Sequence, residues 1–94
     1  MLELNPEKNG VVRLRGRLDA AEAERALATL EKLPGPLTLD CTELEHISSA
    51  GLSVIVRTYK RLSAQASSLS VVGVMPRVRN VFVYAGLDKL LGIR

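Results

Sequence analysis

Apolar and polar residues alternate at the start of the chain, which is the spacing of a half-buried β-strand. The alternation covers residues 2–5, is interrupted by the turn dipeptide Asn9-Gly10, and resumes in VVRLRGRL from Val11 to Leu18. Alternating runs on both sides of an Asn-Gly turn predict an antiparallel hairpin.

The spacing becomes helical after Asp19, which is the expected N-cap of a first helix. The apolar residues that share one face of this helix are Ala23, Ala26, Leu27, Leu30 and Leu33, and those that point away are Glu22, Glu24, Arg25 and Lys32. The segment Pro34-Gly35-Pro36 is expected to end the helix, because proline cannot continue it.

A buried strand and a second helix are predicted next. The short apolar run from Leu37 to Cys41 is typical of a buried strand, and residues 42–48 are expected to form a loop. Leu44 and Ile47 would anchor that loop in the core. After Ser48-Ser49, the spacing predicts the second helix. Its expected inner face comprises Leu52, Ile55, Val56, Tyr59 and Leu62, and its outer face comprises Ser53, Arg57, Lys60 and Arg61.

The last third of the chain predicts another strand and helix. The run LSVVGV from Leu69 to Val74 is expected to be buried, and Pro76 suits the first turn of a third helix. The expected inner residues of that helix are Val78, Val81, Phe82 and Ala85, followed by Gly86 as its end. Residues 87–94 would add a short helix or strand.

The element order predicts an α/β fold over residues 1–94 as a single domain. We expect a small mixed β-sheet with an N-terminal antiparallel hairpin, later parallel strands and helices packed on it. Ligand sites in such sheets lie beyond the carboxyl ends of the parallel strands. The segment from Asp40 to Ser49 is expected there.

Composition and charge exclude several classes of function. No apolar run reaches the roughly 18 residues of a membrane span, and the acidic start lacks the features of a signal peptide, so we expect a cytoplasmic protein without membrane insertion. A single cysteine, Cys41, and a single histidine predict no metal site. The net charge of +3 and the few aromatic residues argue against nucleic-acid binding. Without nucleotide-binding fingerprints, no cofactor is expected.

The adjacent hydroxyls of Ser48 and Ser49 are the main candidates for chemistry. Either could cap the second helix, and either could carry a phosphate, because the first amides of a helix attract anions. Catalysis would need a base such as His46, but a G-x-S-x-G elbow is absent, so we expect no enzyme. We interpret Asp40 first as a loop cap or Asx-turn former, and only second as an acid-base group.

The chain resembles the STAS domains of bacterial anti-sigma factor antagonists. The resemblance rests on an ordered set of segments along almost the whole chain. They are GRLDA from Gly16 to Ala20, LTLDCTELEHISSAGLSVIV from Leu37 to Val56, YKRL from Tyr59 to Leu62, and V-x-x-V-F-x-x-x-G-L-x-x-L-L from Val78 to Leu91. The resemblance implies the same mixed sheet backed by helices.

The resemblance also implies a phosphorylation switch. The serine of the family's D-S-[ST]-G-L motif aligns with Ser49, with Ser48 as the second candidate, and Ser48 replaces the motif's aspartate. An anti-sigma factor with ATP-dependent serine-kinase activity would bind the unmodified chain, so that a sigma factor is released, and a phosphatase would reset the switch. The chain would be a monomer or weak dimer. The implied partner surface comprises Asp19, Glu45, His46, Ser48, Ser49, Ala50, Gly51, Ser53 and Arg57.

Two alternatives stay open on the sequence. Because the aspartate before Ser49 is missing, the chain could be a constitutive STAS module of a stress-signalling scaffold or of a lipid-transporter complex. The other alternative is an enzyme that uses Ser49 and His46.

Overall fold

The fold is a four-stranded mixed sheet with helices in its crossover connections, as seen in a computed structural model that describes residues 1–93. Arg94, the last residue of the predicted tail, lies outside this range. The strands are β1 (Leu2–Pro6), β2 (Val11–Leu18), β3 (Leu37–Ile47) and β4 (Leu69–Val72). The helices are α1 (Ala20–Glu31), α2 (Ser49–Ala64), α3 (Pro76–Tyr84) and α4 (Asp88–Leu91).

The strands lie side by side in chain order, with β1 antiparallel to β2 and with β2, β3 and β4 parallel. The hairpin and the parallel strands predicted from the sequence are therefore confirmed. The turn between β1 and β2 is a single 3-10 turn at Lys8–Gly10, in which Asn9 and Gly10 both have positive φ. The α1 and α2 segments make the two parallel crossovers, so the carboxyl ends of β2 and β3 and the start of α2 lie at one edge.

One face of the sheet and the inner faces of the helices form the core. Phe82 of α3 and Leu30 of α1 are among its largest fully buried side chains, together with Leu39 of β3. The other face of β2 carries Arg13, Arg15 and Arg17, which are exposed. The sheet therefore has one buried face and one face open to solvent.

The predicted loop at residues 42–48 is wrong, because β3 continues to Ile47. Its register against β2 shifts between Arg13 and Arg15 and again between Gly16 and Arg17, which marks two bulged positions in β3. The extra residues place Cys41, Leu44 and Ile47 in the core at intervals of three. The two inward anchors were predicted correctly, but a spacing of three does not match the period of two of a regular strand.

Asp40 consequently lies within β3 and not at a strand end. Its carboxylate accepts hydrogen bonds from the amide of Thr42 at 3.0 Å and from the hydroxyl of Thr42 at 2.6 Å. The Asx-type bond was therefore predicted correctly, although it stabilises a bulge and not a loop. Hydrogen bonding from the Thr42 hydroxyl is the main reason why the pKa of Asp40 lies below its ordinary value, and Arg13 adds to this.

Several side chains of the helices lie on a different face from the one that the sequence predicted. Arg61 does not point away from the protein, since its guanidinium donates to the backbone oxygens of Leu30 at 2.9 Å and Leu33 at 3.1 Å. Val56 and Tyr59 are only half-buried, and the helix instead buries Val54 and Thr58, which were not predicted to face inward. Ala85 is exposed because α3 ends at Tyr84.

Candidate functional site

The candidate site is the corner where β2 and β3 end and α2 begins. The amide of Ser48 donates to the backbone oxygen of Leu18 at 3.0 Å, which fixes the start of α2 against the end of β2. Gly51 allows this approach, because a Cβ there would lie 2.4 Å from the same Leu18 oxygen and 2.8 Å from Ile47 Cγ1. The corner is thus held by backbone contacts that leave no room for a side chain at residue 51.

Ser48 is the residue that caps α2. Its backbone is extended and its Oγ accepts a hydrogen bond from the amide of Gly51 at 3.3 Å. The backbone oxygen of Ser48 also accepts the first helical hydrogen bond, from Leu52 at 2.9 Å. Ser48 is half-buried, so its hydroxyl is committed to the helix end.

Ser49 is the first residue of α2 and is exposed. Its hydroxyl takes part in none of the side-chain hydrogen bonds within residues 1–93. Its own amide and that of Ala50 precede the first intrahelical hydrogen bond and therefore have no acceptor inside the helix. The two adjacent serines therefore differ in role. Ser48 caps α2, whereas the hydroxyl of Ser49 makes no hydrogen bond within residues 1–93.

Asp19 lies beside this corner, directly after the end of β2. It occupies the N-cap position of α1 with an extended backbone, but it makes no side-chain capping bond, so the predicted cap is wrong in its chemistry. Its Oδ1 is buried without a hydrogen-bond partner, and its Oδ2 lies 3.9 Å from Nε of Arg17. Asp19 therefore lies next to the corner, and its side chain does not cap α1.

The residues before the serines lie on β3. Glu45 is exposed, and His46 is half-buried at the register position opposite Arg17. Among residues 1–93, His46 forms no hydrogen bond with either serine. The contacts needed to activate a serine nucleophile are thus not formed at this corner.

The exposed side of α2 continues from Ser49 through Ser53 to Arg57 at intervals of four residues, which places these three on one stripe. A recess of about 330 Å³ flanks the stripe toward α1 and is lined by Ala23, Glu24, Leu27, Ala50, Ser53, Val54 and Arg57. A second recess of about 320 Å³ lies on the other flank and is lined by Leu52, Ser53, Val56, Arg57, Ala85 and Leu87. The stripe is therefore a ridge between two recesses.

The α1 residues of the first recess, namely Ala23, Glu24 and Leu27, were not predicted as site residues from the sequence. Ala23 and Leu27 were assigned to the helix face that packs inward, and both are indeed partly buried against the core. The recess exists only because α1 and α2 lie side by side, and no sequence spacing within one helix reports that arrangement.

The buried thiol and the acidic groups offer no further chemistry. Burial raises the pKa of Cys41 to about 12, so its thiol stays protonated and unreactive near neutral pH. No cluster of His, Cys, Asp or Glu within residues 1–93 could hold a metal ion. In the same range, no helix combines the length and the apolar character that crossing a membrane requires.

Comparison with known proteins identifies relatives. The family model described as "Mlab, STAS domain" matches residues 3–92. A protein of Bordetella bronchiseptica that is named as an anti-sigma factor antagonist, BtrV, is 35% identical over 77 residues, which is 78% of this chain. The chain spans 66% of the length of that relative.

Solved structures share the fold. A structure from Thermotoga maritima named as an anti-sigma factor antagonist gives a TM-score of 0.82 at 24% identity, covering 99% of this chain and 85% of that one. The Bacillus cell fate determinant SpoIIAA in its phosphorylated form gives 0.72 at 20% identity, covering 100% and 91%. These comparisons confirm the resemblance and the fold class predicted from the sequence. As anti-sigma factor antagonists, the relatives are regulatory binding proteins and not enzymes.

Proposed function

The chain belongs to the STAS domain family, and we propose that it is an anti-sigma factor antagonist switched by phosphorylation of Ser49. Family and fold support the general function of such an antagonist. In the proposal, the unphosphorylated chain binds an anti-sigma factor that is also a serine kinase, and a sigma factor is released. Phosphorylation of Ser49 ends the binding and a phosphatase restores it, all within the cytoplasm.

The observation that carries the proposal is that Ser48 caps α2 and Ser49 does not. Ser48 accepts the capping hydrogen bond of α2, whereas Ser49 is exposed and its hydroxyl makes no hydrogen bond within residues 1–93. A kinase can therefore reach Ser49 Oγ without unwinding the helix. Modification of Ser48 would instead replace a group that the helix end uses.

The physical chemistry of the helix start favours a phosphate at this place. A phosphoserine carries about −1.5 to −2 charges at neutral pH, and the amides and dipole at a helix N-terminus favour negative charge. Ser49 is the first residue of α2, so its phosphate would meet that end of the helix. The proposal accordingly requires the fold to remain intact when Ser49 is modified.

The effect of the phosphate on binding follows from its position in the stripe. Ser49 adjoins Ala50 and begins the ridge that continues through Ser53 and Arg57. We propose that the partner covers this ridge together with Asp19, Glu45 and His46, the residues that border the corner. A dianion inserted into such an interface adds bulk and must lose water, both of which weaken binding.

Identification and modification of the partner test the proposal. The tagged chain is used to co-purify the product of a neighbouring gene, the complex is incubated with ATP, and the modified peptide is located by mass spectrometry. We expect phosphate on Ser49, loss of the complex with Ser49→Asp, and retained binding without modification for Ser49→Ala. Ser48→Ala is the matched control and should still be phosphorylated at Ser49.

Absence of phosphate from Ser49 under conditions in which the partner kinase is active, together with wild-type binding by Ser49→Asp, would overturn the switch.

A constitutive interaction module is the second candidate function, and the observation that favours it is Ser48 at the position of the family's aspartate. The local charge beside Ser49 therefore differs from that of the motif. Pull-down separates the candidates, since recovery of scaffold or transporter ATPase subunits instead of an anti-sigma factor would favour the constitutive module.

A further inference from the structure

We infer that the channel between α1 and α2 receives a partner segment that bears an apolar side chain and a carboxylate on one face. This channel, here called the α1–α2 groove, combines the recess beside Ala50 with a neighbouring recess of about 320 Å³. The inference rests on the proposed function, because it names the chemistry by which the anti-sigma partner would be recognised.

The two recesses adjoin each other, since Leu27 of α1 and Arg57 of α2 line both. The half nearer Ser49 is lined mainly by small or apolar side chains, among them Ala23, Ala50 and Val54. The far half is lined by Glu31, Thr58, Lys60 and Arg61. Each half also contains one glutamate, Glu24 in the near half and Glu31 in the far half, so the far half keeps a net positive charge from its lysine and arginines.

The wall at the cationic end is held in place by Arg61. Its guanidinium donates to the oxygens of Leu30 and Leu33 at the end of α1, which ties the two helices together. Thr58 contributes to the same end and is fixed by a hydrogen bond from its hydroxyl to the oxygen of Val54 at 2.9 Å. The far half of the groove is thus a formed recess before any partner arrives.

Arg57 and Lys60 are exposed and take part in no ion pair within residues 1–93. The arginines of the sheet differ, since Arg13 lies 3.6 Å from Glu7 and 3.8 Å from Asp40. Arg15 lies 3.8 Å from both Glu3 and Glu43. The cations beside the groove remain available to a carboxylate from outside, and charge complementarity selects an acidic group for this end.

The distance between the two ends sets the spacing in the partner. Val54 and Lys60 are six residues apart on α2, which corresponds to about 9 Å along the helix. A partner helix would span this distance with residues six or seven positions apart. The apolar residue would enter the half next to Ala50, so a phosphate on Ser49 would lie at the entrance to that half and oppose its burial.

Charge reversal in the groove, with a matched reversal elsewhere, tests the inference. The full chain carries Arg57→Glu with Lys60→Glu, and the control carries Arg77→Glu with Arg79→Glu on the exposed surface of α3. Both variants change the net charge by the same amount. Affinity for the co-purified anti-sigma partner is measured by calorimetry at low and high salt, alongside Ser49→Asp.

We expect the groove variant to bind at least tenfold more weakly and with a smaller salt dependence, and the α3 control to bind within about twofold of wild type. The Tm of both variants should stay within about 3 °C of wild type, because none of the four residues forms an ion pair within residues 1–93.

The outcomes separate the groove from the switch. Wild-type affinity of the groove variant with lost binding by Ser49→Asp would overturn the groove and retain the switch. Weakened binding by the groove variant, with full binding by Ser49→Asp and no phosphate on Ser49, would support the groove and overturn the switch. Equal loss of affinity in the groove and α3 variants would show a general charge effect and overturn the groove proposal. Failure of the wild-type chain to bind any anti-sigma factor would overturn both the groove and the switch.

Discussion

The two sides of α2 differ in what they contribute to the protein. The inner side is built from residues without access to solvent, among them Ile55, Leu62 and Thr58. The outer side presents Ser49, Ser53 and Arg57, which are exposed. One helix thus joins the core of the fold to the surface proposed for partner binding, and the comparison teaches that stability and binding should respond to different substitutions.

The start of the helix repeats this contrast in two adjacent residues. Ser48 caps α2, whereas Ser49 makes no side-chain hydrogen bond within residues 1–93. A modification that must leave the fold intact can therefore act at one serine but not at its neighbour. Substitutions on the two sides of α2 and at its start should therefore separate stability from binding.

Ile55→Asp should abolish folding, because residue 55 is fully buried and a carboxylate there would have no partner. We expect a loss of about 4 kcal/mol or more, measured by urea unfolding. The matched change on the outer side, Ser53→Asp, should alter the free energy of unfolding by less than about 0.5 kcal/mol. A midpoint for Ile55→Asp close to that of wild type would mean that the inner side is wrongly assigned.

Gly51→Val should destabilise the protein by about 2–3 kcal/mol, since its Cβ would collide with the backbone oxygen of Leu18. Gly51→Ala separates the collision from helix propensity, because alanine would stabilise an ordinary helix position by about 1 kcal/mol. We expect Gly51→Ala to destabilise as well. A stabilised alanine variant in thermal unfolding would contradict the close approach of α2 to β2.

Ser48→Ala should cost about 1 kcal/mol through loss of the capping hydrogen bond. Ser49→Ala should leave stability within about 0.5 kcal/mol of wild type, since the hydroxyl bonds to nothing within residues 1–93. Chemical denaturation of both variants under one buffer checks the pair. Equal losses for the two serines would remove the physical basis of the switch.

Asp40→Ala should cost up to about 1 kcal/mol at neutral pH, because the carboxylate accepts two hydrogen bonds from Thr42. The pKa of Asp40 in the folded chain lies below its ordinary value of 3.8, so this contribution is complete above that value. It is lost as pH falls through the lowered pKa of the folded state. The difference in unfolding free energy between wild type and variant should therefore shrink as pH falls below 3.8, and a difference that stays constant on acidification would argue against the carboxylate.

Much of the fold was accessible from the sequence, because hairpin and helices follow local rules. The turn at Asn9-Gly10 and the start of α3 at Pro76 were predicted from single residues and are confirmed. The end of β3 was not predictable in this way. Its two bulges move the core residues to intervals of three, and only pairing with β2 shows that this segment is a strand.

The candidate site was accessible in part. The helix start at Ser48-Ser49 was predicted, but the sequence left open which serine is the cap, and the distance from Ser48 Oγ to the amide of Gly51 resolves this. Arg61 was assigned outward by its helical position, since no pattern within α2 reveals the carbonyl oxygens of Leu30 and Leu33. The α1–α2 groove is likewise a product of tertiary packing.

The most direct test of the proposed switch uses one preparation of the chain that is phosphorylated only at Ser49. Its Tm and its affinity for the anti-sigma partner are measured beside those of the unmodified chain. We expect the phosphorylated chain to bind at least tenfold more weakly, with a Tm within about 3 °C of the unmodified value. Unchanged affinity, or weaker binding accompanied by a large fall in Tm, would contradict the proposed switch.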